Sequence, residues 1–230
     1  MSGGLGLPDL PRWVDAHGIA AAPGSWREPL GAGYALGHDG AHLAVILGAA
    51  EPAAAARLAL ARPAHAFLVP PERAEIVAGL AAAGRTLTRA LLHTLAAPDE
   101  LPALEGAVPL GATTPLAHLP PALAAEIEAA RAAGTVWTVW LDDAPACFAY
   151  APWRSATWFD VSVDVLPGAR QLGLGTLVAA ALIRDERARG REPVWTADEH
   201  NAASRRLAQR LGFGAPIDEL LVAVPAVRPS

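Results

Sequence analysis

The clearest pattern of hydrophobic and polar positions lies in residues 157–166, where the side chains alternate between two faces. This alternation predicts a β-strand with one buried face. One face carries Phe159, Val161, Val163 and Val165, and the other carries Trp158, Asp160, Ser162 and Asp164. Before this strand, the apolar runs 136–141 and 146–151 flank the turn signal Asp142-Asp143-Ala144-Pro145, so they predict a β-hairpin.

Helical periodicity follows the strand. In the segment that ends near residue 189, apolar residues recur at i, i+3, i+4, i+7 and i+8 from Leu174, which predicts a helix packed on a sheet. Two more helices are predicted at 121–133 and 201–211, each followed by a glycine. Short apolar runs at 193–197 and 217–224 predict two further strands.

The first hundred residues are less regular. Apolar runs at 41–48, 65–69 and 86–95 predict buried strands, and Ala-rich stretches at 53–61 and 72–83 predict helices. No internal repeat is apparent. The Pro-containing stretch 97–102 predicts a boundary between an N-terminal α/β segment, residues 1–105, and a second domain, residues 106–230.

Composition excludes several classes of function. A net charge of −5 argues against a nucleic-acid binder. The apolar runs are too short for a membrane span and the first residues lack a signal-peptide pattern, so a cytoplasmic protein is expected. All 18 basic residues are arginines, which excludes a lysine Schiff base and a Walker-A phosphate loop. Cys147 is the only cysteine, and the scattered histidines predict no metal site.

A glycine loop, Arg170-Gln171-Leu172-Gly173-Leu174-Gly175, joins the strand at 157–166 to the helix that follows. The first N–H groups of a helix have no carbonyl partner, and together with the helix dipole they attract anions. Gly173 and Gly175 would let a bulky diphosphate approach the backbone. A glycine pair here can also serve only to make the turn, so the loop by itself leaves both interpretations open.

The loop is followed by Asn201-x-x-Ser204-x-x-Leu207-x-x-x-Leu211-Gly212-Phe213, and the combination resembles the GNAT superfamily of acetyl-CoA-dependent N-acetyltransferases over residues 107–224. The resemblance implies an α+β fold with a mixed, mostly antiparallel sheet flanked by helices, to which the N-terminal α/β segment is added. It implies acetyl-CoA as cosubstrate, no metal, and a small-molecule or peptide amine that attacks the thioester directly in a ternary complex. A homodimer is compatible with this assignment.

The resemblance also assigns residues to the cosubstrate. Backbone groups of Val163 and Val165 would bind the pantetheine arm, and the amides of residues 172–176 would hold the pyrophosphate. Asn201 is as well placed to cap the helix at 201–211 as to contact the cosubstrate. The complete predicted set is Val163, Val165, Arg170, Gln171, Leu172, Gly173, Leu174, Gly175, Thr176, Asn201 and Ser204.

Acetyl transfer needs a general base for the incoming amine. The candidates, in order, are Asp160, Glu199, His200 and Asp164. The loop residues Trp153 and Arg154 are expected on the acceptor side. Many GNAT relatives have a tyrosine at the position of Ala208 that protonates the CoA thiolate, so the sequence leaves the acid open.

Two other functions fit the same motifs. The first is a catalytically silent acyl-CoA-binding or sensing module, which Ala208 favours. The second is a nucleotide-binding α/β protein that uses the glycine loop without acyl transfer. Turnover separates the enzyme from the sensor, and the identity of the ligand separates both from the nucleotide binder.

Overall fold

The computed structural model describes residues 5–98, 101–102 and 106–226. The first part of the chain forms α1 (Val14–Ala21), β1 (Ser25–His38), β2 (Leu43–Ala50), α2 (Pro52–Ala61), β3 (Ala66–Val69), α3 (Ala74–Ala82) and β4 (Arg85–Thr94). The later part forms β5 (Val108–Pro109), α4 (Pro121–Ala133), β6 (Trp137–Leu141), β7 (Ala144–Tyr150), β8 (Trp158–Asp160), β9 (Ser162–Val165), α5 (Leu174–Ala188), β10 (Glu192–Asp198), α6 (Ala202–Arg210) and β11 (Asp218–Pro225).

The strands form two sheets. The larger has the order β1-β2-β3-β11-β4-β10-β8, and the smaller has the order β5-β6-β7-β9. Within the described ranges, β2 with β3 and β8 with β10 pair in parallel, and the other pairs are antiparallel. The predicted α+β fold, with a mostly antiparallel sheet flanked by helices, is therefore confirmed.

The larger sheet is covered on both faces. On one face α1 packs over a cluster that contains Ile19, Leu92 and Val194. On the other face α2 and α3 cover a cluster around Phe67, and α5 covers a cluster around Phe159. Adjacent strand residues point into different clusters, as Val194 and Trp195 do, because side chains alternate across a strand.

Two strands are exchanged between the halves of the chain. The order strand, helix, strand, helix, strand occurs twice, as β2-α2-β3-α3-β4 and as β8/β9-α5-β10-α6-β11. The last strand of each half pairs with the other half, β4 with β10 and β11 with β3. No repeat was predicted from the sequence, since the side chains of the two halves differ. The predicted boundary at residue 105 lies outside the described residues.

Most predicted elements agree with the structure to within a few residues, and four features differ, one of which is the unpredicted short strand β5. The strand predicted at 157–166 is divided at Val161 into β8 and β9. Neither α1 nor β1 was predicted, because α1 is a short apolar helix containing Gly18 and β1 contains Pro29 and three glycines. The hairpin turn is confirmed, with positive φ angles of 49° at Asp142 and 65° at Asp143.

Within the described ranges, no helix is both long and apolar enough to cross a bilayer.

Candidate active site

A cleft opens where β9 leaves β10. Asp160, the last residue of β8, pairs with Val194, and the N–H of Val161 still donates to the carbonyl of Val194 at 3.1 Å. Beyond this point β9 pairs with β7, while β10 continues to Asp198. The strands therefore separate and enclose a cleft of about 650 Å³ between β9, β10 and the first turns of α5 and α6.

The backbone of β9 presents polar groups to this cleft, and one of them, the Val165 carbonyl, accepts the Nε–H of Arg170 at 3.3 Å. Leu166 donates its N–H to the carbonyl of Ala146 across the pair with β7, at 3.0 Å. Because such bonds alternate along an antiparallel pair, the N–H and C=O groups of Val163 and Val165 point away from β7. Both residues line the cleft, so β9 offers an edge to which an extended ligand can add like a strand.

The glycine loop forms the start of α5. Gly173 is the N-cap residue and has a φ of +78°, and a Cβ added to it would meet nothing within 4 Å. A Cβ on Gly175 would instead lie 3.3 Å from Val165 and 3.4 Å from Leu207. Gly173 is thus needed for backbone conformation and an open approach to the cleft, whereas Gly175 lets α5 pack closely on β9.

The cleft is lined by three arginines and one carboxylate. The arginines are Arg170 from the loop and Arg206 and Arg210, which lie one turn apart on α6, and the acid is Asp164. Three guanidinium groups beside the unpaired N–H groups of a helix N-terminus form a site for a ligand with several phosphates. Sequence reasoning missed Arg206 and Arg210, although their i, i+4 spacing places both on one face of the predicted helix.

Asn201 both caps α6 and forms part of the cleft wall. Its side-chain oxygen accepts the N–H of Ser204 at 3.0 Å, which is the N-cap geometry. The indole N–H of Trp195 donates to the Ser204 hydroxyl oxygen, also at 3.0 Å. These bonds hold Asn201, Ser204 and Trp195 in place, and all three line the cleft.

Asp160 lies next to the cleft, one residue before the lining residue Val161. Its side chain is on the face of β8 opposite α5, because Phe159 and Val161 pack into the cluster under α5. Burial, and after it the negative charge of Asp15, raises the pKa of Asp160 well above its ordinary value. A carboxylate with a raised pKa binds a proton more tightly than a solvated aspartate does.

Glu199 and His200 lie away from Asp160 and do not line the cleft. They follow β10, five residues beyond the partner of Asp160, which is about 17 Å along the strand. The His200 side chain is exposed, and its Nε2 is 3.7 Å from a Glu199 carboxylate oxygen. The structure thus does not bring these three candidate bases together, and the fourth candidate, Asp164, lines the cleft.

Trp153 and Arg154, which were expected on the acceptor side, have other contacts. The Arg154 guanidinium is bound to the buried carboxylate of Glu186 at 2.8 Å. Trp153 packs against Gly18 of α1. Neither residue lines the cleft. Arg154 is held by Glu186 of α5 and Trp153 by α1, and no local sequence pattern predicts either contact.

Three further groups near the cleft bear on proton transfer. The Tyr150 hydroxyl lies 2.9 Å from Asp164 and 2.7 Å from Glu126, and burial followed by the charge of Asp164 raises its pKa. Burial also raises the pKa of Cys147 to about 12, so its thiol stays protonated. Ala208 is 1% exposed in the core beneath α6 and supplies no proton donor.

In the part of the chain that the structure describes, no group of three or more His, Cys, Asp or Glu residues is arranged to hold a metal ion.

Comparisons with known proteins agree with this geometry. Residues 133–217 match the family model described as GNAT acetyltransferase, and no curated protein sequence matches the chain. A GCN5-related N-acetyltransferase from Kribbella flavida is 17% identical, with 97% of this chain and 98% of that chain covered and a TM-score of 0.65. A putative GNAT-family acetyltransferase from Novosphingobium aromaticivorans is 22% identical, with 94% and 96% covered and a TM-score of 0.56.

A structure with a doubled domain is also similar. It is described as a tandem GNAT protein from the clavulanic acid biosynthesis pathway and is 17% identical, with 95% of each chain covered and a TM-score of 0.52. At these identities the structural matches establish a shared fold over nearly the whole chain. The family match lies in the half that carries the cleft.

Proposed function

The C-terminal half of the chain belongs to the GNAT superfamily of acyltransferases, and from this premise we propose that the protein transfers an acetyl group from acetyl-CoA to a primary amine. The observation that carries the proposal is the cleft itself. It combines a free strand edge, an open glycine loop at a helix N-terminus, and three arginines within one connected space.

The residues of the cleft fit the parts of acetyl-CoA. The backbone groups of Val163 and Val165 would pair with the amide groups of the pantetheine arm. The N–H groups at the start of α5 would bind the pyrophosphate, and Arg170, Arg206 and Arg210 supply the positive charge for its phosphates. The open space over Gly173 allows this approach.

Acetyl-CoA supplies the thioester carbonyl that the amine attacks directly, so the enzyme needs no nucleophile of its own. We assign the general base to Asp160, which lies where β8 ends and the cleft begins. The acceptor is proposed to be a small-molecule or peptide amine. The proposed site of action is the cytoplasm, which fits a chain whose only cysteine is buried.

A catalytically silent acyl-CoA module is the second candidate. The observation that favours it is Ala208, a buried methyl group at the position where many relatives have a tyrosine acid. The thiolate of CoA is a tolerable leaving group near neutral pH, so the lack of a phenol does not by itself prevent turnover.

Ligand binding is tested first, by thermal unfolding of the purified protein with acetyl-CoA, NAD or ATP. Acetyl-CoA at 100 times its Kd should stabilise the folded state by about 2.7 kcal/mol, and the other two should not. Stabilisation by NAD or ATP alone would overturn the assignment of the cleft.

Turnover is tested next, by measuring CoA release with a panel of primary amines. Amine-dependent release supports the transferase. Tight binding of acetyl-CoA without release on any amine in the panel would favour the silent module.

A further inference from the structure

The N-terminal residues before α1 are anchored on β8. The Asp9 carboxylate accepts the N–H of Thr157 at 2.9 Å, and the Asp9 carbonyl accepts the indole N–H of Trp158 at 3.2 Å. These two bonds join positions almost 150 residues apart in the sequence. They hold the residues around Asp9 against the beginning of β8.

A second anchor lies at the other end of this segment, in α1. A Cβ added to Gly18 would stand 2.8 Å from the Cβ of Trp153 and 3.1 Å from the backbone nitrogen of Arg154. The missing side chain therefore allows α1 to touch the loop that leads into β8. With Asp9 at one end and Gly18 at the other, the segment between them is held across β8.

Asp15 lies between the two anchors, on the face of α1 that packs on the sheet. It precedes Gly18 by three residues and the fully buried Ile19 by four, so the three share one side of the helix. Asp15 itself is only 8% exposed. The side chain of Asp160 points from β8 into the same layer, on the side of Trp158.

The rest of this layer is apolar, with Trp13, Ile19, Val194, Trp153 and Trp158 among its members. Charged or titratable side chains around it have other partners: Arg12 binds Asp218 and Glu72, Arg154 binds Glu186, Asp9 accepts the N–H of Thr157, His17 and His38 contact the carbonyls of Pro8 and Pro23, and the Tyr34 ring lies under the Arg27 guanidinium. Asp15 is thus the charged neighbour that α1 brings to Asp160.

We propose that Asp15 is a positioning residue that acts on acetyl transfer through Asp160, so that the N-terminal segment completes the active site of the C-terminal half. This inference rests on the proposed function, in which Asp160 is the base. It gives residues 9–18 a role in the reaction besides packing.

The electrostatics of the pair agree with its placement. Burial raises the pKa of Asp15 to about 6, and burial together with the charge of Asp15 raises that of Asp160. Two neighbouring carboxyl groups lose their protons in separate steps, because the second charge forms next to the first. Asp15 thus raises the proton affinity of Asp160, and its carboxylate, once ionised, is a stronger base than a solvated aspartate.

The same property allows one carboxylate to serve both proton transfers. As the amine nitrogen bonds to the carbonyl carbon, Asp160 takes a proton from that nitrogen. When the bond between carbon and sulfur breaks, Asp160 returns this proton to the sulfur. The carboxylate ends as it began, and no tyrosine is required at the position of Ala208.

The pair is tested by NMR titration of the protein labelled with ¹³C at the aspartate carboxyl groups, without acetyl-CoA. The Asp160 signal is identified by its absence from Asp160→Asn. In Asp15→Asn the Asp160 midpoint should fall by about 1 pH unit, because its charged neighbour is gone. Because neighbouring groups report each other's ionisation, the Asp160 signal of the unmodified protein should also shift where Asp15 loses its proton, which tests the pair even if Asp15→Asn folds poorly.

The kinetic arm uses the amine that releases most CoA in the panel. The acid limb of the kcat/KM profile should move to lower pH in Asp15→Asn. It should stay in place in Asp9→Asn, the matched control, which changes a carboxylate in the same part of the chain but leaves Asp15 and Asp160 intact.

An unchanged Asp160 midpoint in Asp15→Asn overturns the proposal whatever the activity. A shifted midpoint in a protein that acetylates no amine of the panel overturns the proposed function, and with it the role of Asp15 in catalysis.

Discussion

At the scale of single residues, Glu186 shows how an arginine-rich chain handles a buried charge. Its side chain is fully buried on α5, and it accepts hydrogen bonds from Arg154, Arg189 and Arg191. Burial alone would raise the pKa of Glu186, but the bonds from Arg154 and Arg191 outweigh it and lower the pKa. The cluster joins the loop before β8, the end of α5 and the start of β10, at the opposite end of α5 from the cleft.

Replacing Glu186 with Gln should lower the free energy of unfolding by about 3 kcal/mol, because it removes a fully buried carboxylate to which three arginines donate hydrogen bonds. The folded-state pKa lies below the ordinary 4.5, so this contribution is present above that pH and is lost as the pH falls through the folded-state value. Denaturant unfolding of both proteins should therefore show a gap that narrows in acid.

The control is Glu192→Gln, which breaks a pair between Glu192 and Arg187 whose side chains are 46% and 35% exposed. This change should cost less than about 1 kcal/mol. Equal losses in the two variants would mean that burial does not distinguish these ion pairs.

Arg210 is a residue whose role concerns binding. Replacing it with Ala should weaken acetyl-CoA binding by roughly tenfold, with a smaller effect at high salt, because it removes one charge-assisted phosphate contact. Isothermal titration measures both effects. Arg205→Ala is the matched control, since Arg205 lies on the same helix but donates to the Glu199 carbonyl and does not line the cleft. Equal affinities of the two variants for acetyl-CoA would contradict the role of Arg210 in binding phosphate.

At the scale of elements, the two glycines of the loop should respond differently to a side chain. Gly173→Val strains the backbone at φ +78° by about 1 kcal/mol and places its methyl groups in the open approach to the cleft. We expect it to fold and to lose stabilisation by acetyl-CoA. Gly175→Val would instead meet Val165 and Leu207 and should lower the melting temperature itself. Thermal unfolding with and without acetyl-CoA separates the two, and retained stabilisation in Gly173→Val would contradict the pyrophosphate role.

The sequence predicted these elements where local chemistry decides the structure. The hairpin at Asp142-Asp143, the helix at 121–133 and the cap at Asn201 each follow from turn residues, periodicity or a capping side chain. The division of the strand at Val161 was not predictable, because it depends on pairing with two different neighbours. The contact of Arg154 could not be predicted for the same reason, because its partner Glu186 is 32 residues away and no local sequence pattern links the two.

At the scale of the whole molecule, the glycine loop proposed to bind phosphate has no counterpart between β2 and α2 in the repeated order of elements. Where the C-terminal half has Gly173 at the start of α5, the N-terminal half joins β2 to α2 by Glu51 and Pro52. Proline has no N–H to offer, and the negative charge of Glu51 repels phosphate. The proposed cosubstrate site therefore lies in the second half, while the first contributes α1 and the strand β4.

The strand exchange predicts that the halves depend on each other. All eight residues of β11 pair with β4, and three of them also pair with β3, so a fragment of residues 106–230 leaves β11 without its neighbours. A fragment of residues 1–105 likewise lacks β11, the strand that lies between β3 and β4. We expect neither fragment alone to show a cooperative thermal transition by circular dichroism, and we expect their mixture to regain one.

A cut chain separates strand exchange from covalent linkage. If a protease site is inserted between β4 and β5 and cleaved after folding, the product should keep its transition and its stabilisation by acetyl-CoA, because β4 and β11 still hold the halves together. The prediction fails if residues 106–230 unfold cooperatively and bind acetyl-CoA alone. In that case the C-terminal half would be an independent domain, and pairing with β3 and β4 would not be needed to hold β11 in place.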